Sequence, residues 1–408
     1  MSEVNNYIKE NWHKTIKKGG NLGRGIIPIP KDFTVPSIND DRFIDVFYWD
    51  TYFINLGLIA DGLINQVKNN LENIAFFIEK IGYMPNASHL LYTSQPPLFV
   101  RGCFDYYHKT KDLDFIKKYL PAMVSEHEFF MTERMSDCGL NQYGNSVLKY
   151  RLKEFYDYFS KRVGVSYQSQ KERDNFVQNM FAICESGWDC TLRFKTSENN
   201  FATNQFAQLD LNCLLYDMEN KIAYFYGLLQ DNKGTEKFKT LSIERKNLIN
   251  SLMREKKSGL YYDYNFKTKT LSQILSAVSF YPYALGVCDD NLGLTETLSA
   301  LELEYGLSAC EKHDGETLQW DYPVMWASNV YFAYIALKNH GAEEDAKRIA
   351  KKYIHTVDKV FSITGKLWEK YDALKCGLPN VKESADKEML GWTGGVYRFL
   401  FDDETNKK

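Results

Sequence analysis

The stretch LNCLLYDMENKIAYFYGLLQ, residues 211–230, carries a helical hydrophobic pattern. Its large apolar side chains recur every three or four residues, at Leu211, Leu215, Met218, Ile222, Phe225 and Leu229. This spacing is typical of an α-helix that buries one face. A second segment repeats the pattern, at Ala346, Ile349, Tyr353, Val357 and Val360. Both segments are therefore predicted to be amphipathic helices.

Less regular helical patterns occur in three other segments, at residues 113–133, 239–256 and 329–338. Loops rich in Gly, Asn, Asp and Pro separate them, as at 258–270 and 286–295. Convincing alternating strands are few, and no Pro/Ser-rich linker divides the chain. The pattern favours one mostly helical domain of stacked helix pairs. That domain is either an open solenoid or a closed ring around a cleft.

The composition is that of a globular protein of nearly balanced charge. Of 408 residues, 44% are hydrophobic, which suffices for a sizeable core. The 50 Lys and Arg against 53 Asp and Glu leave a net charge of −3, so no nucleic-acid partner is expected. The sequence contains neither the apolar stretch of a secretion signal near its start nor a membrane-span window. We therefore expect a soluble, cytoplasmic protein without a membrane partner; the sequence does not define its oligomeric state.

Motifs for several kinds of chemistry are missing from the sequence. It has no phosphate loop, no HExxH, no GxSxG and no GxGxxG placed as a nucleotide-binding turn. The seven histidines form no pair at helical ligand spacing, and the eight cysteines form no CxxC. We therefore expect no metal, no cofactor and reduced thiols.

Four short runs combine tryptophan with a carboxylate: FYWDTYF at 47–53, ESGWDC at 185–190, QWDYPVMW at 319–326 and LWEKYD at 367–372. Desolvating an acid beside an indole is costly unless the acid is paired or functional. One interpretation is a carbohydrate cleft, in which aromatic rings stack on sugars and two carboxylates flank the glycosidic bond. The alternative is that each tryptophan fills an interhelical gap while its acid caps a helix or pairs with a base.

A series of motifs between residues 40 and 398 favours the cleft. They are RFIDVFYWDTYF at 42–53, MPN at 84–86, SQPP at 94–97, ESGWDCTLRF at 185–194, DLN at 210–212, QWDYPVMWA at 319–327, EKYD at 369–372 and GWTGGV at 391–396. In type and order they resemble the motifs of the trehalases, a family of inverting glycoside hydrolases.

The resemblance implies an all-α fold, an (α/α)6 toroid with six inner and six outer helices. It implies a single catalytic domain at residues 36–408, with residues 1–35 as an N-terminal extension that packs on the toroid. The expected activity is hydrolysis of α,α-trehalose to two glucose molecules. Two alternatives are a related toroidal hydrolase of another small α-glucoside or α-mannoside, and a helical sugar-binding protein without turnover.

The resemblance also assigns roles to individual residues. Asp189, the acid of ESGWD, is implied to be the general acid, and Glu369, the acid of EKYD, the general base. The remaining matches are implied to bind the substrate: Arg42, Phe43, Trp49, Asp50, Asn86, Gln95, Arg151, Glu185, Gly187, Gln319, Trp320, Asp321, Glu383 and Trp392. Arginine suits this role because its planar fork of donors can bind two adjacent hydroxyls.

Departures from the family pattern concentrate on the leaving-group side. SINDD at 37–41 replaces PGG, and the segment 376–390 has one glycine where the family has a glycine-rich lid. Thr93 replaces an arginine just before SQPP. Val324 and Met325 are apolar and larger than their counterparts, so we expect them to change the walls of the leaving-group pocket. The preference for the second sugar is therefore expected to have drifted.

Overall fold

A computed structural model describes residues 2–20, 27–196, 201–314, 318–381 and 387–405. Within these residues the chain forms fourteen α-helices: α1 Glu3–Thr15, α2 Tyr48–Ala60, α3 Ile64–Ile81, α4 Phe99–Thr110, α5 Leu113–Glu133, α6 Tyr156–Val163, α7 Gln170–Ser186, α8 Leu209–Leu228, α9 Asn232–Leu252, α10 Tyr281–Ala284, α11 Leu294–Leu301, α12 Ala327–Asn339, α13 Glu343–Thr364 and α14 Leu390–Thr405.

The strands are two or three residues long and pair antiparallel. They are β1 Ile16–Lys17, β2 Phe33–Thr34, β3 Phe206–Ala207, β4 Tyr264–Asn265, β5 Thr270–Leu271, β6 Glu302–Leu303, β7 Gly306–Leu307, β8 Val324–Trp326 and β9 Lys370–Asp372. Strand β1 pairs with β2, β4 with both β3 and β5, β6 with β7, and β8 with β9. A 3-10 helix covers Lys149–Glu154, and another at Ala277–Phe280 leads directly into α10.

Six helices form a closed inner ring. In order around the ring they are α2, α4, α8, α10, α12 and α14, and α14 returns to contact α2. An outer layer of α1, α3, α5, α9, α11 and α13 packs around them. Helix α3 lies against α2 and α4, α9 against α8, and α13 against α12 and α14. The predicted ring of six inner and six outer helices is thus confirmed, and the open solenoid is excluded.

Inner and outer helices differ in how much of their surface they bury. The outer helix α13 buries one stripe, which contains all five apolar residues that predicted it. The inner helix α8 also buries the apolar residues from Leu211 to Phe225, but the prediction that it buries only one face is wrong. Its polar residues Asp210, Asp217 and Glu219 are buried as well, so its buried surface extends beyond the apolar stripe. Each of the three pairs with an arginine: Asp210 with the buried Arg193, Asp217 with the partly buried Arg101, and Glu219 with the buried Arg245.

The first helix contributes to the outer layer. α1 packs against α13 and α14, and its Trp12 indole donates a hydrogen bond to Asp61 at 2.7 Å. Asp61 also pairs with Arg398 of α14 at 2.7 Å. These contacts tie α1 to the ring; the boundary at residue 35 stays a prediction.

None of the helices in the described residues is both long enough and apolar enough to cross a membrane.

Close approach of α2 and α14 closes the ring. A Cβ at Gly395 would overlap the carbonyl group of Phe53, and one at Gly57 would lie 2.8 Å from the Gly395 Cα. Both distances are too short for any side chain. The GWTGGV motif therefore provides the contact between the first and the last inner helix.

We expect Gly395→Ala to lower the free energy of unfolding by about 1–3 kcal/mol or more, because the added methyl group must push two helices apart. Gly227→Ala is the matched control. Gly227 lies in the exposed part of α8, where a Cβ would meet only Thr235 Oγ1 at 3.8 Å. Alanine there should raise the stability by roughly 0.5–1 kcal/mol, because glycine is a poor helix former. Denaturant unfolding measures both variants, and equal effects would contradict the close-packing account.

Candidate active site

A cavity of about 490 Å³ opens at the end of the ring where α2, α12 and α14 begin. Trp49 and Asp50 of the first turn of α2, Trp326 just before α12, and Trp392 of the first turn of α14 line it. Helix N-termini carry a partial positive charge, which stabilises carboxylates and other electron-rich groups nearby.

Tryptophan rings form the floor of this cavity. Trp320 stacks on Trp326, with ring centroids 3.8 Å apart and planes 2° from parallel, and on Trp188 at 4.9 Å. Trp49 lies 5.2 Å from Trp392 and 5.7 Å from Trp320. Two of the four tryptophan–carboxylate runs thus supply aromatic rings that line the cavity, and Trp188 of a third run stacks on Trp320 outside the cavity wall. In the fourth run, the indole of Trp368 donates to Thr364 Oγ1, and its neighbour Glu369 lines the cavity.

Pairing of β8 with β9 positions Glu369. Trp326 lies opposite Lys370 in this pair, which brings the LWEKYD run beside the QWDYPVMW run. The Glu369 carboxylate is 2.9 Å from Lys370 Nζ and 3.6 Å from Lys387 Nζ. Its side chain is 10% exposed. Glu369 is therefore a buried acid, held between two lysines, with access to the cavity.

Asp189 lies in the turn that follows α7. The helix ends at Gly187, whose φ of 74° is left-handed and whose absent Cβ would lie 2.6 Å from the Trp49 ring. Only glycine meets both requirements, which explains why the ESGWD motif has a glycine at position 187. The Asp189 carboxylate pairs with Arg162 Nη2 at 3.1 Å, and its carbonyl accepts from Gln319 Nε2 at 3.0 Å. Its side chain is 35% exposed, so it faces the cavity.

Two further acids of the predicted site connect the loops that surround the cavity. Glu185 is fully buried and accepts from Arg134 Nε at 2.7 Å, Ser94 N at 2.8 Å and Gly144 N at 2.6 Å. Asp321 is also fully buried and accepts from Thr191 Oγ1 at 3.1 Å and Leu192 N at 3.0 Å. Burial raises the pKa of Asp321. Neither residue lines the cavity; both hold together the loops that surround it.

Asp50 is a buried carboxyl in the cavity wall. Burial raises its pKa to about 7, and the charge of Glu369 adds to the rise. A carboxyl that keeps its proton near neutral pH can donate a hydrogen bond to a ligand as well as accept one.

The cavity wall also carries amide side chains. Gln95 Oε1 accepts from Trp49 N at 3.2 Å, and Asn86 Nδ2 donates to the Cys184 carbonyl at 3.3 Å. Each amide is thereby oriented by backbone, and both residues line the cavity.

Most of the residues predicted for the site meet at this cavity: Phe43, Trp49, Asp50, Asn86, Gln95, Gly187, Asp189, Gln319, Trp320, Glu369 and Trp392. Thr93 lines it too. The expectation that Val324 and Met325 shape the cavity wall is wrong, because both side chains are fully buried in the core and neither lines the cavity. Trp326 is the residue of β8 that lines it.

Both predicted arginines lie outside the cavity wall. Arg42 pairs with Asp40, with Nε 2.8 Å from Oδ1, and its side chain is 66% exposed. Arg151 pairs with Glu154 at 3.0 Å and donates to Tyr92 Oη at 2.7 Å. Glu383 lies outside the described residues, as do its neighbours 382 and 384–386 of the segment that replaces the glycine-rich lid.

Sequence reasoning missed two cations that line the cavity, Arg162 and Lys387. Arg162 lies on α6, eleven residues beyond Arg151, and meets Asp189 only through the fold. Lys387 lies within the segment 376–390 that replaces the glycine-rich lid, where a charge of either sign is unremarkable in sequence. No motif marks either residue.

Comparisons with known proteins agree on one family. The family model described as Trehalase matches residues 1–404. The trehalase of Bombyx mori is 25% identical over 92% of this chain and 69% of its own length. A periplasmic trehalase of Escherichia coli is 27% identical over 92% of this chain and 69% of its own length.

Solved structures show the same fold. Neutral trehalase from Saccharomyces cerevisiae superposes with a TM-score of 0.77 at 22% identity, covering 99% of this chain and 80% of that one. Mannosylglycerate hydrolase from Thermus thermophilus, in complex with glucose, gives 0.68 at 14% identity, covering 98% and 100%.

The raised pKa of Asp50 predicts how its removal changes stability with pH. Between about pH 4 and 7 the unfolded chain has ionised Asp50 while the folded protein keeps the proton, so this group destabilises the fold as pH rises. Asp50→Asn cannot ionise, and its stability relative to wild type should increase from pH 5 to pH 7.5. The gain should approach a few kcal/mol, at about 1.4 kcal/mol per pKa unit.

Denaturant unfolding of both proteins at the two pH values measures this gain. Asp137→Asn is the control, because Asp137 is 78% exposed, and its difference from wild type should change little. The same Asp50→Asn difference at both pH values would contradict the account.

Proposed function

The chain belongs to the trehalase family of glycoside hydrolases, and from this premise we propose that it hydrolyses α,α-trehalose to two glucose molecules with inversion at one anomeric carbon. The observation that carries the proposal is that Asp189 and Glu369, from separate motifs, line one tryptophan-floored cavity. Hydrolysis by two carboxylates needs only water as co-reactant.

Asp189 acts as the general acid in this proposal. It gives its proton to the glycosidic oxygen as the bond to the anomeric carbon breaks, so the leaving glucose departs as a neutral alcohol. Arg162 donates to one oxygen of Asp189 and fixes the direction in which the carboxyl points. The other N–H groups of its guanidinium are suited to sugar hydroxyls.

Glu369 acts as the general base. It takes a proton from a water molecule that attacks the anomeric carbon from the face opposite the leaving group, so the configuration inverts. Lys370 and Lys387 pair with the carboxylate and hold it in place.

The remaining cavity groups bind the reacting glucose. Asp50, Gln95 and Asn86 offer carboxyl and amide groups to its hydroxyls, and Trp49 and Trp320 offer flat faces to its C–H groups. Removal of water from this cavity strengthens each of these interactions.

A second candidate is the hydrolysis of another small α-glucoside or α-mannoside. Thr93, which replaces an arginine of the family pattern, lines the cavity and favours it. The two candidates share Asp189 and Glu369 and differ only in the leaving group.

We also propose that the protein works in a reducing compartment such as the cytoplasm. All eight cysteines lie in the described residues, and each is a free thiol. Unbridged thiols in this number suit a reducing environment.

Asp189→Asn and Glu369→Gln should each lower kcat for trehalose by about 10²- to 10⁴-fold, because each removes a proton-transfer group. Proton NMR of the first minutes of wild-type hydrolysis should show equal amounts of α- and β-glucose, before mutarotation mixes them. Release of α-glucose alone would mean retention and would overturn the proposed roles. Unchanged thermal unfolding of both variants serves as the folding control.

Arg162→Met and Arg151→Met form a matched pair. Arg162 lines the cavity and contacts Asp189, so its loss should lower kcat/KM for trehalose by about 10²-fold. Arg151 lies behind Tyr92, and its loss should cost less than about tenfold. A larger loss of kcat/KM in Arg151→Met than in Arg162→Met would instead support Arg151 as the substrate-binding arginine.

A further inference from the structure

One side of the cavity is lined by a continuous set of aromatic side chains, which we call the aromatic wall: Tyr92, Phe155, Tyr158, Phe159 and Phe181. Phe181 lies at its centre. Its ring centroid is 4.9 Å from Phe155, 5.1 Å from Phe159 and 6.2 Å from Tyr92, with the rings close to edge-on. Such edge-to-face pairs are favourable, so the rings hold one another in place.

The aromatic wall belongs to a hydrophobic cluster separate from the main core. Phe159 and Phe181 pack with Leu152, Phe176 and Met180 in this second cluster. The tryptophan floor belongs to the main core with the ring helices. The cavity therefore has two supports, one for each side.

The aromatic wall lies on the side of the proposed general acid. Arg162, which pairs with Asp189, follows Tyr158 by one turn on α6. Cys184 follows Phe181 by three residues on α7, and burial together with the charge of Asp189 raises the pKa of its thiol. A group that leaves on the oxygen protonated by Asp189 therefore faces this wall.

Polar groups line the cavity near both proposed catalytic residues. Lys387 pairs with Glu369, and the charge of Glu369 acts on Asp50. Near Asp189 lie Arg162, which pairs with its carboxylate, and Gln319, which donates to its carbonyl. On the aromatic wall itself, the Tyr92 hydroxyl accepts a hydrogen bond from Arg151 at 2.7 Å. The aromatic wall distinguishes the side of Asp189, because its five rings offer apolar faces to a leaving group.

We propose that the leaving-group side binds its ligand through apolar ring faces, so that the enzyme also cleaves α-glucosides of apolar, ring-bearing alcohols, of which benzyl α-glucoside is the simplest. This inference rests on the proposed function, because it assigns Asp189 to the leaving group. The cleavage itself is the same hydrolysis: water adds to the anomeric carbon, and benzyl alcohol leaves with the proton from Asp189.

The decisive comparison is kcat/KM for benzyl α-glucoside against methyl α-glucoside. Both release alkyl alcohols of similar acidity, so the ratio reports binding of the phenyl ring rather than leaving-group chemistry. We expect benzyl α-glucoside to be preferred by about 10- to 100-fold, the range for burying one such ring. Trehalose hydrolysis is measured in parallel.

Variants of the wall test where the preference arises. Tyr158→Ala removes a lining ring that is 63% exposed, so its folding cost is small. It should lower the benzyl-to-methyl ratio at least threefold, and Phe155→Ala should bring it close to one. Tyr150→Ala is the matched control: Tyr150 is 71% exposed, lies outside the cavity wall, and its loss should leave the ratio unchanged.

The outcomes separate this inference from the proposed function. Trehalose hydrolysis with a ratio near one would overturn the inference and leave the proposed function standing. If the enzyme cleaves no glycoside, the proposed function fails, and equilibrium binding of the two glucosides, read by tryptophan fluorescence, decides the inference. Tighter binding of the benzyl compound by tenfold or more supports it; equal affinity, or no binding, overturns it.

Discussion

The closure of the helical ring depends on one steric constraint, the contact between α2 and α14. These helices begin with Trp49 and Asp50 on one side and Trp392 on the other, so the contact that closes the ring also brings the two halves of the cavity together. Because Gly57 and Gly395 have no side chains, the backbones of α2 and α14 can pack in direct contact. This contact brings Trp49, Asp50 and Trp392 to the same cavity. An open ring would separate the tryptophan floor into two groups of rings.

Buried ion pairs then fix the loops above the ring. Glu185 connects Ser94 and Gly144 to the end of α7, and Arg193 connects Asp210 of α8 to Asp263 beneath the Trp188 ring. Loss of one member of such a pair leaves a buried charge without a partner and costs about 3–5 kcal/mol. These groups therefore position Asp189 from below, although none of them contacts the cavity. The reaction needs groups held to a fraction of an ångström, which explains why so many charges are buried here.

Much of the fold and part of the site could be predicted from the sequence. Helical periodicity predicted α8 and α13, since the apolar spacing is local and survives any tertiary arrangement. The tryptophan–carboxylate runs predicted a cleft, because removing an acid from water beside an indole costs free energy unless the acid is paired or functional.

The polar face of α8 could not be predicted, because its partners Arg193, Arg101 and Arg245 are distant in sequence. The family resemblance implies Arg151, whereas the arginine beside Asp189 is Arg162 on α6, a contact between residues distant in sequence. Val324 and Met325 pair with Asp372 and Tyr371 of β9. Their burial could not be predicted, because this pairing joins residues that are far apart in sequence.

The separation of the second hydrophobic cluster from the main core has an evolutionary consequence. Substitutions among Phe155, Phe159 and Phe181 change contacts within a small module that shares few residues with the ring. Effects of distant, independent sites on stability are nearly additive, so such changes need no compensating changes in the helices that hold the proposed base. The scaffold can thus keep its bond-breaking apparatus constant while natural selection explores new leaving groups. Diversification of this kind would first be visible in residues 149–184, well before it reached the motifs by which the family is recognised.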